Sequence, residues 1–177
     1  MRPPEASEYE EYYGAYVGRV PDRPVLDVLA EAPGALETLL SGVPGSGETF
    51  AYAPGKWSVR EVLGHILDTE RVFTYRALHI ARSDPAALPG MDQDVWAAGS
   101  NAAGRAVADL LREFRALREA NVVLFSSFDD EILAREGLAS GVRFTVRALV
   151  FVVAGHEIHH RSVLEDRYVA ALAGRPA

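Results

Sequence analysis

Cysteine is absent from the 177 residues, which excludes disulfides and thiolate metal sites and leaves any thiol chemistry to a ligand that brings its own sulfur. Positive charge is in short supply: 18 Lys and Arg against 25 Asp and Glu give a formal net charge of -7. Nothing here supplies the basic stripe that a nucleic acid or an anionic membrane surface would need. Long apolar runs are missing as well. The longest, "ALVFVV" from Ala148, is far too short to span a bilayer. The N-terminal stretch "MRPPEASEYEEYYGAYVGRV" lacks the apolar run of a signal peptide, so the expected location is the cytoplasm. No internal repeat or low-complexity segment is visible.

What is present is ordinary globular composition, 49% hydrophobic and 24% charged, in a length suited to one domain over residues 1–177. An N-terminal arm over about residues 1–23 carries Tyr9, Tyr12, Tyr13 and Tyr16 at roughly helical spacing, which suggests packing over the main body rather than catalysis. A bundle is expected over about 24–172. Its first helix starts at Pro24, with Val25, Leu26, Leu29, Leu36, Leu39 and Leu40 on the apolar face and Pro33-Gly34 expected to kink or split it. Ser58-Val59-Arg60-Glu61 matches a capping box. The second helix therefore runs from Ser58 to about Arg82, the third from about Ala103 to Ser127, and the fourth from a Thr145 N-cap to about Leu172 before Gly174 and Pro176. Sustained strand alternation is not seen, so the predicted fold class is all-α, a four-helix bundle. The segment from about Ser83 to Ala102 is too long for a tight loop. It is expected to cross the bundle, making helices 2 and 3 parallel and helices 2 and 4 antiparallel.

Three of the five histidines fall within "HEIHH", residues 156–160. At about 100° per residue, His156 and His160 lie about 40° apart and one turn along the axis, so both can aim at one ion, while His159 falls to the flank. A purely structural pair would show the same spacing. A tight site needs a third ligand from another helix. His65 and His79 are about 21 Å apart in rise and cannot serve one ion together. With helices 2 and 4 antiparallel, His65 levels with the pair and His79 with the start of helix 4. His65 is therefore the expected partner, the alternative being a buried core histidine.

"GKWSVREVLGHILDTERVFTYRAL" and "AGHEIHHRSVLEDRY", together with "LPGMDQDVW" and "LASGVRFTVRALV", resemble the DinB-like superfamily of bacterial four-helix metalloproteins, which includes the YfiT-type proteins. The resemblance extends from about Pro21 to Tyr168. It implies a bundle with a crossover between helices 2 and 3 and a divalent metal, carried onto this chain as His65, His156 and His160. It further implies a small-molecule electrophile and a low-molecular-weight thiol (bacillithiol, mycothiol or glutathione) as substrates of an S-transferase, a thiol-dependent isomerase as a relative, and a homodimer as an assembly state.

His156-Glu157-Ile158-His159-His160 also spells H-E-x-x-H, the zinc-protease signature. The metzincin extension would need Gly and His where this chain has Val163 and Asp166, and little chain remains for a downstream carboxylate. Glu157, about 100° from His156, is expected to leave the metal face and to salt-bridge or cap a neighbouring surface. Asp68, one turn after His65, is the candidate to orient a ligand or assist a proton transfer, against the alternative of a solvated surface carboxylate. Three neutral imidazoles suit Zn2+ best, with Ni2+, Fe2+ or Mn2+ also compatible. An open position would serve a thiol in a transferase or water in a hydrolase. A metal-stabilised stress or binding protein without turnover is the non-catalytic alternative.

Overall fold

A computed structural model of the chain describes residues 1–173. Four long helices carry the architecture: α2 (Val25–Leu40), α3 (Val59–Ala81), α5 (Val107–Ser126) and α7 (Val146–Val163). Shorter pieces join them: α1 (Gly14–Val17), α4 (Gln93–Gly99), α6 (Asp130–Leu133) and a hairpin of β1 (Glu136–Ala139) with β2 (Val142–Thr145). Past α7 the backbone widens into a π-helical stretch, Leu164–Val169, and ends in α8 (Ala170–Ala173). The expected stop signals Gly174 and Pro176 lie outside the described residues.

The two helix starts predicted from capping residues have the expected chemistry. The Ser58 hydroxyl accepts from the Glu61 N–H, and the Glu61 carboxylate accepts from the Ser58 N–H at 2.7 Å. Thr145 caps α7 by accepting from the Ala148 N–H at 3.0 Å. Each satisfies donors that a helix start otherwise leaves bare.

Contacts along the helices fix their directions. Arg60 near the start of α3 reaches the Ala103 carbonyl, and Glu70 further on meets Arg118, so α3 and α5 run parallel. Trp57, just before α3, receives the Tyr168 hydroxyl beyond α7, while Ala81 at the end of α3 receives Arg135 ahead of the hairpin. Helices α3 and α7 are therefore antiparallel, as the crossover requires. The crossover is itself structured, by α4 and by the backbone of Leu88, which pairs with Leu138 and Ser140 at the hairpin.

Three expectations need correction. Pro33 does not split the first helix: α2 continues through it. Proline removes the donor that would serve the carbonyl four residues earlier, and that carbonyl, Leu29, is reached by the Arg118 guanidinium at 3.5 Å. A hairpin exists where none was expected. Its Ser140-Gly141 loop has φ of 56° and 77°, the doubly positive conformation that matches the twist of two antiparallel strands. Its strands hold four residues each, too few for alternation to register in the sequence. The third helix starts at Val107 rather than Ala103, after a single 3-10 turn over Ala102–Gly104.

The buried apolar residues form two clusters. One holds Leu29, Phe73, Ile80, Phe125, Phe144 and Leu149; the other holds Leu36, Leu63, Ile66, Leu110, Phe114 and Leu164. Between them, at the waist of the bundle, polar side chains cross the interior: Thr69 and Glu70 of α3, Arg118 and Asn121 of α5, His156 and Glu157 of α7, all buried. Among the described residues no helix is long and apolar enough to cross a membrane.

Candidate metal centre

His65 rides on the bundle-facing side of α3, and His156 and His160 sit one turn apart on α7. The antiparallel packing of those two helices brings all three together. Their nearest ring nitrogens lie within 4.8 Å of one another, and His65 Nε2 is 3.1 Å from His156 Nε2. A tetrahedral ion with metal–nitrogen bonds near 2.0–2.1 Å would hold its nitrogens about 3.3 Å apart, so modest ring adjustments close the set. His65 and His156 are buried and His160 is half-buried.

Burial also sets the charge of the group. Desolvation, reinforced by mutual repulsion among the imidazoles, lowers His65 to about 4 and His160 to about 3 and holds His156 well below its ordinary range. All three rings are neutral at pH 7, the protonation state that a ligand set requires. The Thr69 hydroxyl lies 3.3 Å from His65 Nδ1. In the tautomer whose Nδ1–H donates to that hydroxyl, Nε2 keeps its lone pair toward the other two rings.

His159 flanks the group, its ring 4.9 Å from His160 and 5.6 Å from Tyr16. His79 is remote, near enough to the Ala86 carbonyl to hydrogen-bond at 2.8 Å. Asp68 does not reach the histidines. It lines a separate concavity with Trp96, Ser100 and Asn101, and burial pushes its carboxyl up, offset in part by Arg71. Relative to His65, Asp68 is turned about 60° one way and Thr69 about 40° the other, so the threonine takes the orienting place expected of the aspartate. Glu157 leaves the metal face as expected and pairs with Arg161 at 2.9 Å. It is not at a surface, however. Only 2% exposed, it faces the buried Arg118 and Glu70, and desolvation raises its pKa.

The N-terminal arm closes one side of the site. Tyr16 packs edge-on to His156 at 5.3 Å, and Tyr13 packs on Phe144 and Phe73. The close approach depends on Gly155, where a Cβ would stand 2.0 Å from the Tyr16 carbonyl oxygen. Across the cluster Trp57 lies 4.8 Å from His65. Two cavities reach the histidines by different members. One of about 340 Å³ touches His65 and His156 and is walled by Tyr12, Tyr13, Tyr16 and Arg76. The other, about 460 Å³, touches His160 and His159 and is walled by Trp57, Lys56 and Tyr52. Gln93 of the crossover borders both. Arg76 escaped the sequence reading, although its position, about 20° from His65 after three turns, puts it on the same helix face.

A parallel-crossover bundle with three imidazoles converging at its waist defines the class of helical protein. The DinB superfamily model matches residues 29–164, and the chain belongs to that superfamily. Among solved structures, YfiT from Bacillus subtilis, described as a probable metal-dependent hydrolase with an unusual four-helix bundle topology, is similar with a TM-score of 0.74. It shares 18% identity over 98% of this chain and 92% of that one. A DinB-like protein from Bacillus subtilis, YjoA, is similar with a TM-score of 0.56 and 20% identity, over 86% of this chain and 94% of that one. These likenesses establish the shared fold. No curated protein matches the chain at a significant level.

Proposed function

We propose that His65, His156 and His160 hold a divalent metal ion, Zn2+ being best suited to three imidazoles, and that the chain is a metal-dependent enzyme joining a low-molecular-weight thiol to an electrophile. When bound, such an ion supplies Lewis acidity that favours deprotonation of a thiol or water beside it. The observation that carries the reading is the convergence of three neutral imidazoles at a point reached by two separate cavities. Two co-substrates need two approaches. The tyrosine-walled cavity offers an apolar and hydroxyl-bearing surface for the electrophile, and the cavity beside Trp57 and Lys56 has room for a polar thiol.

The chain's own residues have definite parts in this. Thr69 fixes the ring orientation of His65, and Tyr16 and Trp57 shield the cluster from bulk water on its two sides. Hydrolysis is the second reading, favoured by the fold shared with YfiT and its description as a metal-dependent hydrolase. Water would then take the place of the thiol.

Elemental analysis of the purified protein should find close to one divalent ion per chain. His65→Ala and His160→Ala should lower that content sharply, and His159→Ala should leave it near wild type. Equal loss in His159→Ala would overturn the ligand assignment. Bacillithiol, mycothiol and glutathione tested with a chromogenic aryl halide, beside an aryl ester without thiol, separate transfer from hydrolysis. Metal-loaded protein inactive in both assays would leave a non-catalytic, metal-stabilised binding protein.

A further inference from the structure

Three arginines are buried among the described residues: Arg118 (1% exposed), Arg76 (3%) and Arg147 (6%). Two have carboxylate partners. Arg118 is held by Glu70 through two bonds of 2.7 and 2.8 Å, and Arg147 meets Glu8 at 3.0 Å. Arg76 has none among the described residues. Its Nη2 donates to the Pro89 carbonyl at 3.0 Å and to the Ser140 hydroxyl at 2.7 Å, its guanidinium lies over the Phe73 ring, and the Tyr13 phenol is its other polar neighbour. Burial draws its pKa down, but a guanidinium starts so high that it stays charged at neutral pH. An isolated buried cation is costly. This one forms part of the wall of the cavity that ends at His65 and His156.

Its mounting is as telling as its isolation. Ser140 is a hairpin-turn residue with φ of 56°, and Pro89 belongs to the crossover, whose neighbour Leu88 is hydrogen-bonded to that same hairpin. Two elements distant in sequence from α3 therefore hold one guanidinium before any ligand arrives, which reduces the ordering cost of binding. A fixed, uncompensated positive charge on the cavity wall suits a carboxylate, met through guanidinium hydrogens other than the two that Nη2 gives to Pro89 and Ser140.

We propose that Arg76 is the carboxylate-binding residue of this cavity and selects ligands that carry a carboxylate on an apolar body, with their reacting end toward the histidines. The body would lie along Val72, Phe73 and Tyr13. The carboxylate assignment rests on the enzymatic reading only where it calls that ligand a substrate.

The test uses the full chain, with and without chelator, and benzoate against its neutral isostere benzamide, followed by calorimetry and ligand-observed NMR. Chelator-treated protein should bind benzoate at least about tenfold more tightly than benzamide, the scale expected of a charge-assisted contact. Arg76→Met should remove that preference, and Arg76→Lys, which keeps a positive charge at this position, should restore part of it. Circular dichroism monitors folding, and if Arg76→Met does not fold, the benzoate preference of wild type and its reduction in Arg76→Lys decide. Equal binding of the two probes, no binding of either, or an unchanged preference in folded Arg76→Met would each overturn the proposal. Tighter binding of phenyl phosphate than of benzoate would overturn the choice of carboxylate.

Discussion

Thr69 and Asp68 are adjacent in sequence, yet only the threonine stands at His65. Histidine ligands depend on what holds their second nitrogen, and loss of such a partner typically lowers metal affinity about 10- to 100-fold. Thr69→Val keeps the side chain's shape and deletes its hydroxyl. We expect metal affinity to fall within that range, measured by competition with a chromogenic chelator, with the helical circular dichroism unchanged. The three histidines themselves were legible, because helical spacing pairs His156 with His160 and the long crossover selects His65 over His79. Their orienting neighbour was not. A carboxylate draws the eye as a proton carrier, whereas the deciding quantity is a rotation of roughly 100° about the helix axis between positions 68 and 69. Arg76 was missed for a related reason: among the described residues it has no carboxylate partner, and no spacing rule reports a missing one.

The arm, the hairpin and α2 show how elements depend on one another. Glu8 ties the arm to the start of α7. Burial pushes its carboxyl up, but the Glu5 N–H, the Thr145 hydroxyl, Arg2 and Arg147 outweigh that and hold it below the ordinary glutamate range. A carboxyl lowered on folding stabilises the folded form above its unfolded pKa, near about 4.3, and that contribution fades as pH falls through the lowered value. Hydrogen exchange of residues 6–17 should therefore quicken, relative to the helices, as acid carries the protein below about pH 4. Glu8→Gln should show quickened exchange already at neutral pH and lose most of this acid dependence. The Ser58 capping box, the Thr145 cap and the apolar stripes made the four long helices readable, since each signal is local. The hairpin and the unbroken α2 were not. Their causes, pairing with Leu88 and a guanidinium from α5 beside the Leu29 carbonyl, lie far away along the chain.

At the scale of the molecule, two apolar clusters are separated by a polar waist. The Glu70 carboxylate there is satisfied by two bonds from Arg118 and one from Asn121 at 2.9 Å. Removing one partner of a buried ion pair leaves an uncompensated charge and commonly costs about 3–5 kcal/mol. Arg118→Met should destabilise by that order in urea unfolding, with Glu70→Gln in the same chain recovering part of the loss. Full stability in Arg118→Met would show the waist to be dispensable. The histidine group shares this layer, so the bundle's rigidity and its candidate site draw on the same cross-section. The close seating of the arm on Gly155 carries a consequence for descent. So long as Tyr16 keeps its carbonyl against that position, a methyl group there has no room, and sequences that shed or reroute the arm are the ones freed to change it. Position 155 and the α1 segment that carries Tyr16 should vary together or not at all.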